Sequence, residues 1–191
     1  MLEHLAKTYL SATGWTVHNE VPPEVKKFVI IAAPHTSNWD FPITMAIARQ
    51  IDMRFYWVGK HTLFEPAPVG KIMKGLGGIP IDRRKSQNFV EQIAEAFDAA
   101  DAMALGIAPE GTRSKRQYWK SGFYYIAREA GVPISLGFLD YKKKVGGLGP
   151  LVDSSQSKKA VMDQIREFYA GIEGHTPENY TPPRLRNEDE D

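Results

Sequence analysis

Short apolar segments that alternate with helical ones constrain the fold of this chain more than any other feature. Residues 28–33, FVIIAA, form a continuous apolar run, which is typical of a strand buried on both faces of a sheet. The other strand candidates are 15–18, 54–58, 75–81, 103–108 and 132–141, and the amphipathic helical segments include 2–13, 41–51, 87–100 and 161–172. This alternation predicts an α/β fold, a single layered domain with a mostly parallel central sheet flanked by helices.

The length of 191 residues suits one domain, which we expect to span residues 1–173. From Gly174 onward the chain becomes polar and contains Pro177, Pro182 and Pro183. A segment of this composition has little apolar surface to bury, so we expect residues 174–191 to form a disordered or loosely draped tail.

The charge of the chain is unevenly distributed. The formal net charge is +1, but residues 188–191 are all acidic, which leaves 24 basic against 19 acidic side chains elsewhere. A mildly basic body fits an anionic partner such as a phosphate or a lipid headgroup, and it is far weaker than the footprint of a nucleic-acid binder. We therefore expect no nucleic-acid partner.

Two absences in the sequence exclude whole classes of site. The chain has no cysteine, which excludes disulfides, zinc thiolate sites and a cysteine nucleophile. The first residues lack the apolar core of a signal peptide, and no segment approaches the ~20 apolar residues of a membrane span. We expect a cytoplasmic protein whose contact with a membrane, if it makes one, is peripheral on the cytoplasmic face.

A histidine and an aspartate follow the first buried strand. In the segment PHTSNWD, His35 and Asp40 are five residues apart, and they meet if the chain turns from strand to helix between them. The carboxylate then orients one ring nitrogen and leaves the other free to take a proton. The simpler interpretation is that His35 is a loop histidine and Asp40 caps a helix. Ser37 lies in no G-x-S-x-G elbow, which disfavours a serine hydrolase.

Two further polar segments follow strand candidates. Residues 77–84 read GGIPIDRR, in which the glycines allow a tight turn and the arginine forks suit phosphate oxygens. Residues 108–114 read APEGTRS, a loop opening toward a helix, in which Arg113 and its neighbours would cradle a phosphate. Glu110 would hold an arginine or bind a substrate hydroxyl. The simpler interpretations are solvated arginines and a surface Glu–Arg pair.

These segments resemble the blocks of the glycerophospholipid acyltransferase family, which includes the lysophosphatidate acyltransferases. That family carries an N-H-x-x-x-x-D block, a G-x-I-x-I-D-R-like block, an E-G-T-R-S block and a later V-P-I strand. Here the blocks read PHTSNWD, GGIPIDR, PEGTRS and Val132-Pro133-Ile134, in the same order over residues 28–140. Pro34 replaces the usual Asn, and Pro80 stands where a bulkier residue is common; both bear on substrate preference more than on chemistry.

The resemblance implies an O-acyltransferase that moves a fatty acyl group from acyl-CoA or an acyl carrier protein to a lysophospholipid or glycerol phosphate. His35 would deprotonate the acceptor hydroxyl for direct attack on the thioester, and Asp40 would orient His35. Pro133 would help to shape the acyl or acceptor site. The family's reaction needs no cofactor and no metal. The residues that would bind the phosphate and glycerol of the acceptor are Arg83, Glu110, Gly111, Thr112 and Arg113.

The sequence leaves the acceptor and the membrane surface open. One alternative is an acyltransferase whose acceptor is an amino-lipid or a sugar lipid. Another is a protein that binds lipid without catalysing a reaction. Membrane helices often precede the first block in that family, and here the amphipathic segment 2–13 precedes it. This segment would lie on a membrane interface or pack on the core, and its weakly basic polar face favours core packing. Tyr118 and Trp119 are candidates for interfacial contact, because such rings sit well at headgroup depth. Lys142–Lys144 would attract anionic lipid or form a solvated hairpin turn.

Overall fold

A seven-stranded sheet organises the chain in a computed structural model that describes residues 2–81 and 88–189. The strand order is β1-β7-β6-β2-β5-β3-β4, and every neighbouring pair is parallel except β6 and β7. The mostly parallel sheet predicted from the sequence is therefore confirmed. The strands are β1 Thr16–Asn19, β2 Lys27–Ala32, β3 Phe55–Lys60, β4 Gly78–Ile81, β5 Met103–Ile107, β6 Ile134–Asp140 and β7 Val145–Val152.

Helices cover both faces of the sheet. The α-helices are α1 Leu2–Ala12, α2 Asp40–Gln50, α3 Val69–Gly75, α4 Phe89–Ala99, α5 Gly122–Glu129 and α6 Lys158–Tyr169, with two short 3-10 helices at His61–Leu63 and Pro177–Asn179. Buried residues of α4, α5 and α6 pack on the face that carries Val29, Ile31 and Leu105. Helices α1 and α2 pack together on the opposite face, with Leu139 among their partners. The alternation of side chains along each strand assigns the residues of β2 to the two faces in turn.

Two elements were missed because their sequences are weak signals. Strand β7 reads VGGLGPLV, and its three glycines and one proline lower the β-propensity that would have marked it. Helix α3 has only seven residues, too few to show a helical period. The turn between β6 and β7 contains Lys142–Lys144, so these lysines lie in a hairpin turn, as one of the two interpretations of that run expected.

The expectation of a disordered or loosely draped C-terminal segment is wrong for the part that the structure describes, residues 174–189. Thr181 and Leu185 are buried, and the backbone carbonyl of Thr181 accepts a hydrogen bond from the indole of Trp119 at 3.0 Å. The backbone N–H of Trp119 also donates to the carbonyl of Arg184 at 2.8 Å. Trp119 is therefore buried beneath this segment, and the expectation that it contacts a membrane interface is wrong as well.

Candidate active site

The loop that leaves β2 brings His35 against Asp40, the first residue of α2. The ring nitrogen Nδ1 of His35 lies 3.0 Å from Oδ2 of Asp40. The same oxygen accepts hydrogen bonds from the backbone N–H groups of Thr36 and Ser37, each at 3.0 Å. The sequence expectation that a strand-to-helix turn would let these two side chains meet is thus fulfilled in geometry. Asp40 holds the loop backbone and the imidazole with one atom.

This contact decides which nitrogen of His35 is available for chemistry. A carboxylate only accepts hydrogen bonds, so Nδ1 carries the proton that it donates to Asp40. The other nitrogen, Nε2, then has a free lone pair, and it makes no hydrogen bond with any residue in the described ranges. The side chain is 25% exposed and lines the large cleft of the domain. The pair can therefore accept one proton from a bound group and stabilise the imidazolium that results.

Ser37 is not arranged as a nucleophile. Its hydroxyl oxygen accepts a hydrogen bond from the backbone N–H of Trp39 at 3.2 Å, and its own N–H is held by Asp40. The His35 ring makes its hydrogen bond to Asp40 rather than to this hydroxyl. This geometry disfavours a serine hydrolase, as the sequence did.

Glu110 lies behind His35 and contacts its backbone. It follows β5, the neighbour of β2, and its Oε1 accepts a hydrogen bond from the backbone N–H of His35 at 3.0 Å. Burial raises the pKa of Glu110, and this effect outweighs the lowering by the hydrogen bond from His35. The other oxygen, Oε2, is buried and makes no hydrogen bond within the described ranges. The expected pairing of Glu110 with an arginine is absent among these residues, and its role toward substrate stays a prediction.

A cleft of about 1420 Å³ runs from the carboxyl edge of the sheet to the space beneath α2. Its polar end carries His35, Asp40 and the loop after β5. Its remaining wall is mostly apolar and includes small residues of the central strands. Among the lining residues of that wall are Ala32, Ile47, Ala48, Phe55, Trp57, Gly59, Gly106 and Gly137. An acidic–imidazole pair thus opens onto a long apolar space, the arrangement expected of a site for an apolar substrate with one polar end.

The loop after β5 contributes cationic side chains to this cleft. Gly111, Thr112 and Arg113 all line it, and Gly111 adopts a φ of +66° that favours glycine. Arg113 is exposed and makes no hydrogen bond or ion pair with another residue of the described ranges. The loop leads into a helix as the sequence predicted, and that helix, α5, begins at Gly122. A phosphate here would be held by side chains rather than by a helix N-terminus.

Lys120 is a second cation that sequence reasoning did not assign to the site. It lines the cleft, and a Cβ built on Gly111 would lie 3.2 Å from its Nζ. The sequence offered no signal for this placement, because the loop folds back on itself through a hydrogen bond from the N–H of Lys120 to the carbonyl of Pro109 at 2.8 Å. Arg113 and Lys120 therefore line the same cleft as His35.

Arg83 and Pro133 were also expected to contribute to the site. Arg83 lies outside the described residues, as does its neighbour Arg84, so their roles stay predictions. Pro133 precedes β6, and its carbonyl accepts a hydrogen bond from the N–H of Val29 near the start of β2. His35 follows the other end of β2, and about 10 Å of strand lies between Val29 and that end at Ala32. Pro133 is not among the residues that line the cleft, and its expected part in shaping the acyl or acceptor site stays a prediction.

Tyr141 is the residue of the site that sequence reasoning missed altogether. Its hydroxyl donates a hydrogen bond to Oδ1 of Asp40 at 2.8 Å across 101 positions of sequence.

Within residues 2–81 and 88–189, no three His, Asp or Glu side chains come together as a metal site. Over the same ranges, no helix combines the length and apolar composition needed to cross a membrane.

Comparisons with known proteins bear on the family and the fold of the chain. Residues 14–135 match a family model described as Acyltransferase. The crystal structure of the 1-acyl-sn-glycerophosphate (LPA) acyltransferase PlsC from Thermotoga maritima is similar, with a TM-score of 0.62 and 18% sequence identity. The match covers 88% of this chain and 77% of that chain, and it shows a shared fold. A comparison with curated protein sequences finds no match.

Proposed function

Because this chain belongs to the glycerophospholipid acyltransferase family and is an acyltransferase, we propose that it acylates a phosphorylated glycerol lipid, with His35 as the base. The acyl group would come from a thioester, and the acceptor would be a lysophospholipid or glycerol phosphate. One observation carries the proposal: the His35–Asp40 pair opens onto a cleft that Arg113 and Lys120 also line and whose wall is mostly apolar. Those features match a phosphate, a hydroxyl and an acyl chain in one substrate complex.

In the proposed reaction, Nε2 of His35 takes the proton of the acceptor hydroxyl as the oxygen attacks the thioester carbonyl. The C–O bond forms, and the tetrahedral intermediate collapses with cleavage of the C–S bond. The imidazolium then returns the proton to the leaving thiolate, so the products are an ester and a thiol. Asp40 stabilises the imidazolium in between through its 3.0 Å contact with Nδ1. No acyl-enzyme is formed and no metal or cofactor takes part.

The cations of the cleft support a phosphorylated acceptor. A guanidinium fork matches two phosphate oxygens, and an ammonium adds a point charge beside it. Arg113 and Lys120 line the cleft together with Thr112, whose hydroxyl accepts a hydrogen bond from the N–H of Ser114 at 3.4 Å. We propose that Gly111, Thr112 and Arg113 bind the phosphate and glycerol of the acceptor, and that Arg83 and Glu110 contribute as the family resemblance implies. The apolar wall would hold the acyl chain.

An exposed apolar face on α3 and its C-cap residue supports the proposed peripheral contact with a membrane. Val69, Ile72 and Leu76 lie one helical turn apart and are 43%, 54% and 36% exposed. Lys71 and Lys74 occupy the same helix and would attract anionic headgroups. We expect the protein to sediment with vesicles of mixed anionic lipid, and Ile72→Glu to weaken that binding. Equal sedimentation of both proteins would exclude this face as the contact.

The proposal is tested by thiol release from a long-chain acyl thioester in the presence of defined acceptors. The donors are acyl-CoA and the same acyl group on an acyl carrier protein. The informative acceptor pair is lysophosphatidate and monoacylglycerol, which differ only in the phosphate. We expect rapid release with lysophosphatidate, at least tenfold slower release with monoacylglycerol, and little release without acceptor.

Three variants separate the proposed roles. His35→Ala should lower kcat by about a thousandfold or more, with an unchanged unfolding midpoint, because the base is lost and the fold is not. Arg113→Ala should raise KM for lysophosphatidate and leave that for monoacylglycerol almost unchanged. Lys115→Ala, an exposed change in the same loop, is the control. Full turnover by His35→Ala would contradict the mechanism, and release without acceptor would indicate a thioesterase.

A further inference from the structure

We infer that Tyr141 is a positioning residue that sets the basicity of the His35–Asp40 pair, an inference that rests on the base role proposed for His35. Its hydroxyl donates to Oδ1 of Asp40 at 2.8 Å, while His35 and two backbone N–H groups occupy Oδ2. Both oxygens of the carboxylate are therefore bound. Tyr141 is absent from the lining of the cleft, so it acts through Asp40 rather than on substrate.

The sheet topology delivers Tyr141 to the site. Strand β6 lies beside β2 in parallel, with Gly137 opposite Ala32, so both strands end at the same edge of the sheet. Tyr141 is the first residue of the turn between β6 and β7, and Asp40 begins the helix after β2. Residues more than a hundred positions apart thus meet because two neighbouring parallel strands deliver them to one edge.

The turn that carries Tyr141 is itself fixed by hydrogen bonds. The side chain of Asp140 is buried, and its Oδ1 accepts from the backbone N–H groups of Lys142 and Lys143 at 3.1 and 3.2 Å. The N–H of Tyr141 donates to the carbonyl of Glu173 at 2.9 Å, which ties the turn to the C-terminal segment. The backbone on both sides of Tyr141 is therefore held, and the phenol is presented in one direction.

Neighbouring rings restrict the Tyr141 side chain as well. The ring of Trp15 and that of His175 each meet it edge-on, with centroids 5.0 Å away. The ammonium of Lys144 lies 5.9 Å from the ring centroid. Together with the turn, these contacts hold the hydroxyl against Asp40 and reduce the entropy lost when the hydrogen bond forms.

Tyr141 acts as a donor throughout the accessible pH range. Burial raises the pKa of Tyr141 well above its usual range, and the charge of Asp40 raises it further. The phenol therefore keeps its proton and draws negative charge from the carboxylate. A carboxylate with fewer donors stabilises a neighbouring imidazolium more strongly. Removal of the phenol hydroxyl should consequently make His35 hold its proton more tightly.

The test is Tyr141→Phe, which removes one oxygen and keeps the ring. We expect the acid limb of the kcat/KM profile for the lysophosphatidate reaction to move up by about half a pH unit. We expect kcat at neutral pH to fall about fivefold to tenfold, the equivalent of one hydrogen bond, with KM unchanged. A residue that merely supports the fold would lower stability and leave the position of that limb in place, and this result would overturn the inference.

Other titrating groups are excluded by matched variants. Asp40 and Glu110 face His35, while Asp40, His175 and Lys144 face Tyr141, and Tyr9 contributes a weaker charge effect. His175→Phe keeps an aromatic ring beside Tyr141 and removes the titrating imidazole, so it should leave the acid limb in place and rule out His175 as its source. Tyr124→Phe removes a hydroxyl that donates to the carbonyl of Gln156 at 3.0 Å, away from the site, and should leave the limb unmoved. A shift in either control would contradict the assignment.

A readout without substrate separates this inference from the proposed function. NMR titration of the His35 ring, assigned by its loss in His35→Gln, should shift to higher pH in Tyr141→Phe whether or not the acceptor is correct. Incorporation of 3-fluorotyrosine, which makes the phenol a stronger donor, should move the curve the opposite way in the wild-type protein but not in Tyr141→Phe. An unmoved curve in both experiments would overturn the role of Tyr141, whereas absence of acyl transfer with a moved curve would overturn only the proposed reaction.

Discussion

The two faces of the central sheet are built differently. On one face, α4, α5 and α6 bury a continuous core whose fully buried members include Phe97, Phe123 and Ile165. On the other face, α2 covers strands whose inward residues include Gly106 and Gly137, and the space beneath it opens into the cleft. Most of the packed core lies outside the cleft, with Trp119 and Ile126 among the core residues that also line it. Stability and binding should respond to different substitutions.

The carboxyl edge of the sheet joins these faces and carries the chemistry. The loop 34–40 is held by Glu110 below and by Tyr141 at the side, while Thr36 accepts a hydrogen bond from the N–H of Thr176 in the C-terminal segment at 3.1 Å. The cleft side of the same loop has Nε2 of His35 without a partner in the described ranges. The seven residues of this loop are thus held in place on one side and present Nε2 of His35 to the cleft on the other, as a preorganised base requires.

The largest expected effect tests the packed face. Phe123 is fully buried in α5 and meets the ring of Trp119 edge-on with centroids 6.5 Å apart. Phe123→Ala should lower the free energy of unfolding by about 3–5 kcal/mol, since it removes a buried ring and leaves a cavity. Urea titration followed by fluorescence measures the loss. The kcat of the folded fraction should stay within about twofold of wild type; a large fall in kcat would show that the packed face also shapes the site.

The next effect tests the cleft face. Thr44 lines the cleft one helical turn beyond Asp40, whereas its neighbour Met45 does not. Thr44→Phe should shorten the space for an acyl chain and lower kcat/KM for long-chain donors about tenfold, with a smaller effect on short-chain donors. Thiol release with donors of graded length measures this, and Met45→Phe is the matched control. Equal losses for all chain lengths would show that the acyl chain lies elsewhere.

Local patterns made much of this molecule predictable. The apolar run at residues 28–33 predicted the central strand, which spans Lys27–Ala32 in the structure. The same pattern put His35 at a carboxyl edge, where loops of parallel strands meet. The pairing of His35 with Asp40 was foreseeable because both lie in one short turn, and the family resemblance gave that pairing a chemical meaning.

Contacts between distant segments were not predictable from local patterns. Tyr141 is the last residue of the predicted strand 132–141, and nothing in its neighbours indicates a partner 101 positions away. The C-terminal segment has the composition of a tail, yet Leu185 is buried and the carbonyl of Thr181 meets the indole of Trp119. A few apolar residues in a polar segment suffice for docking when the body already offers a surface, and composition averages conceal them.

The smallest expected effect concerns Glu110, whose carboxylate is buried behind the cleft. Its pKa is raised by burial, so the folded protein binds its proton more tightly than the unfolded chain does. As pH rises from the ordinary value of the carboxyl through the raised one, the unfolded state loses the proton first and wild-type stability falls. Glu110→Gln removes this charge but keeps an oxygen that accepts from the N–H of His35. The variant should match wild type below that window and exceed it above by on the order of 1 kcal/mol.

Urea titrations of both proteins at pH 4 and pH 8 measure this difference, with Glu110→Ala as the variant that also loses the hydrogen bond to His35. If Glu110 serves only to hold the loop, Glu110→Gln keeps most of its activity and Glu110→Ala loses it, because the backbone N–H of His35 is left unpaired. If both variants lose activity equally, the negative charge itself is required, which would support the role toward the acceptor that the family resemblance implies. Glu110 would then act on the acceptor itself and would not serve only to hold the loop that carries His35.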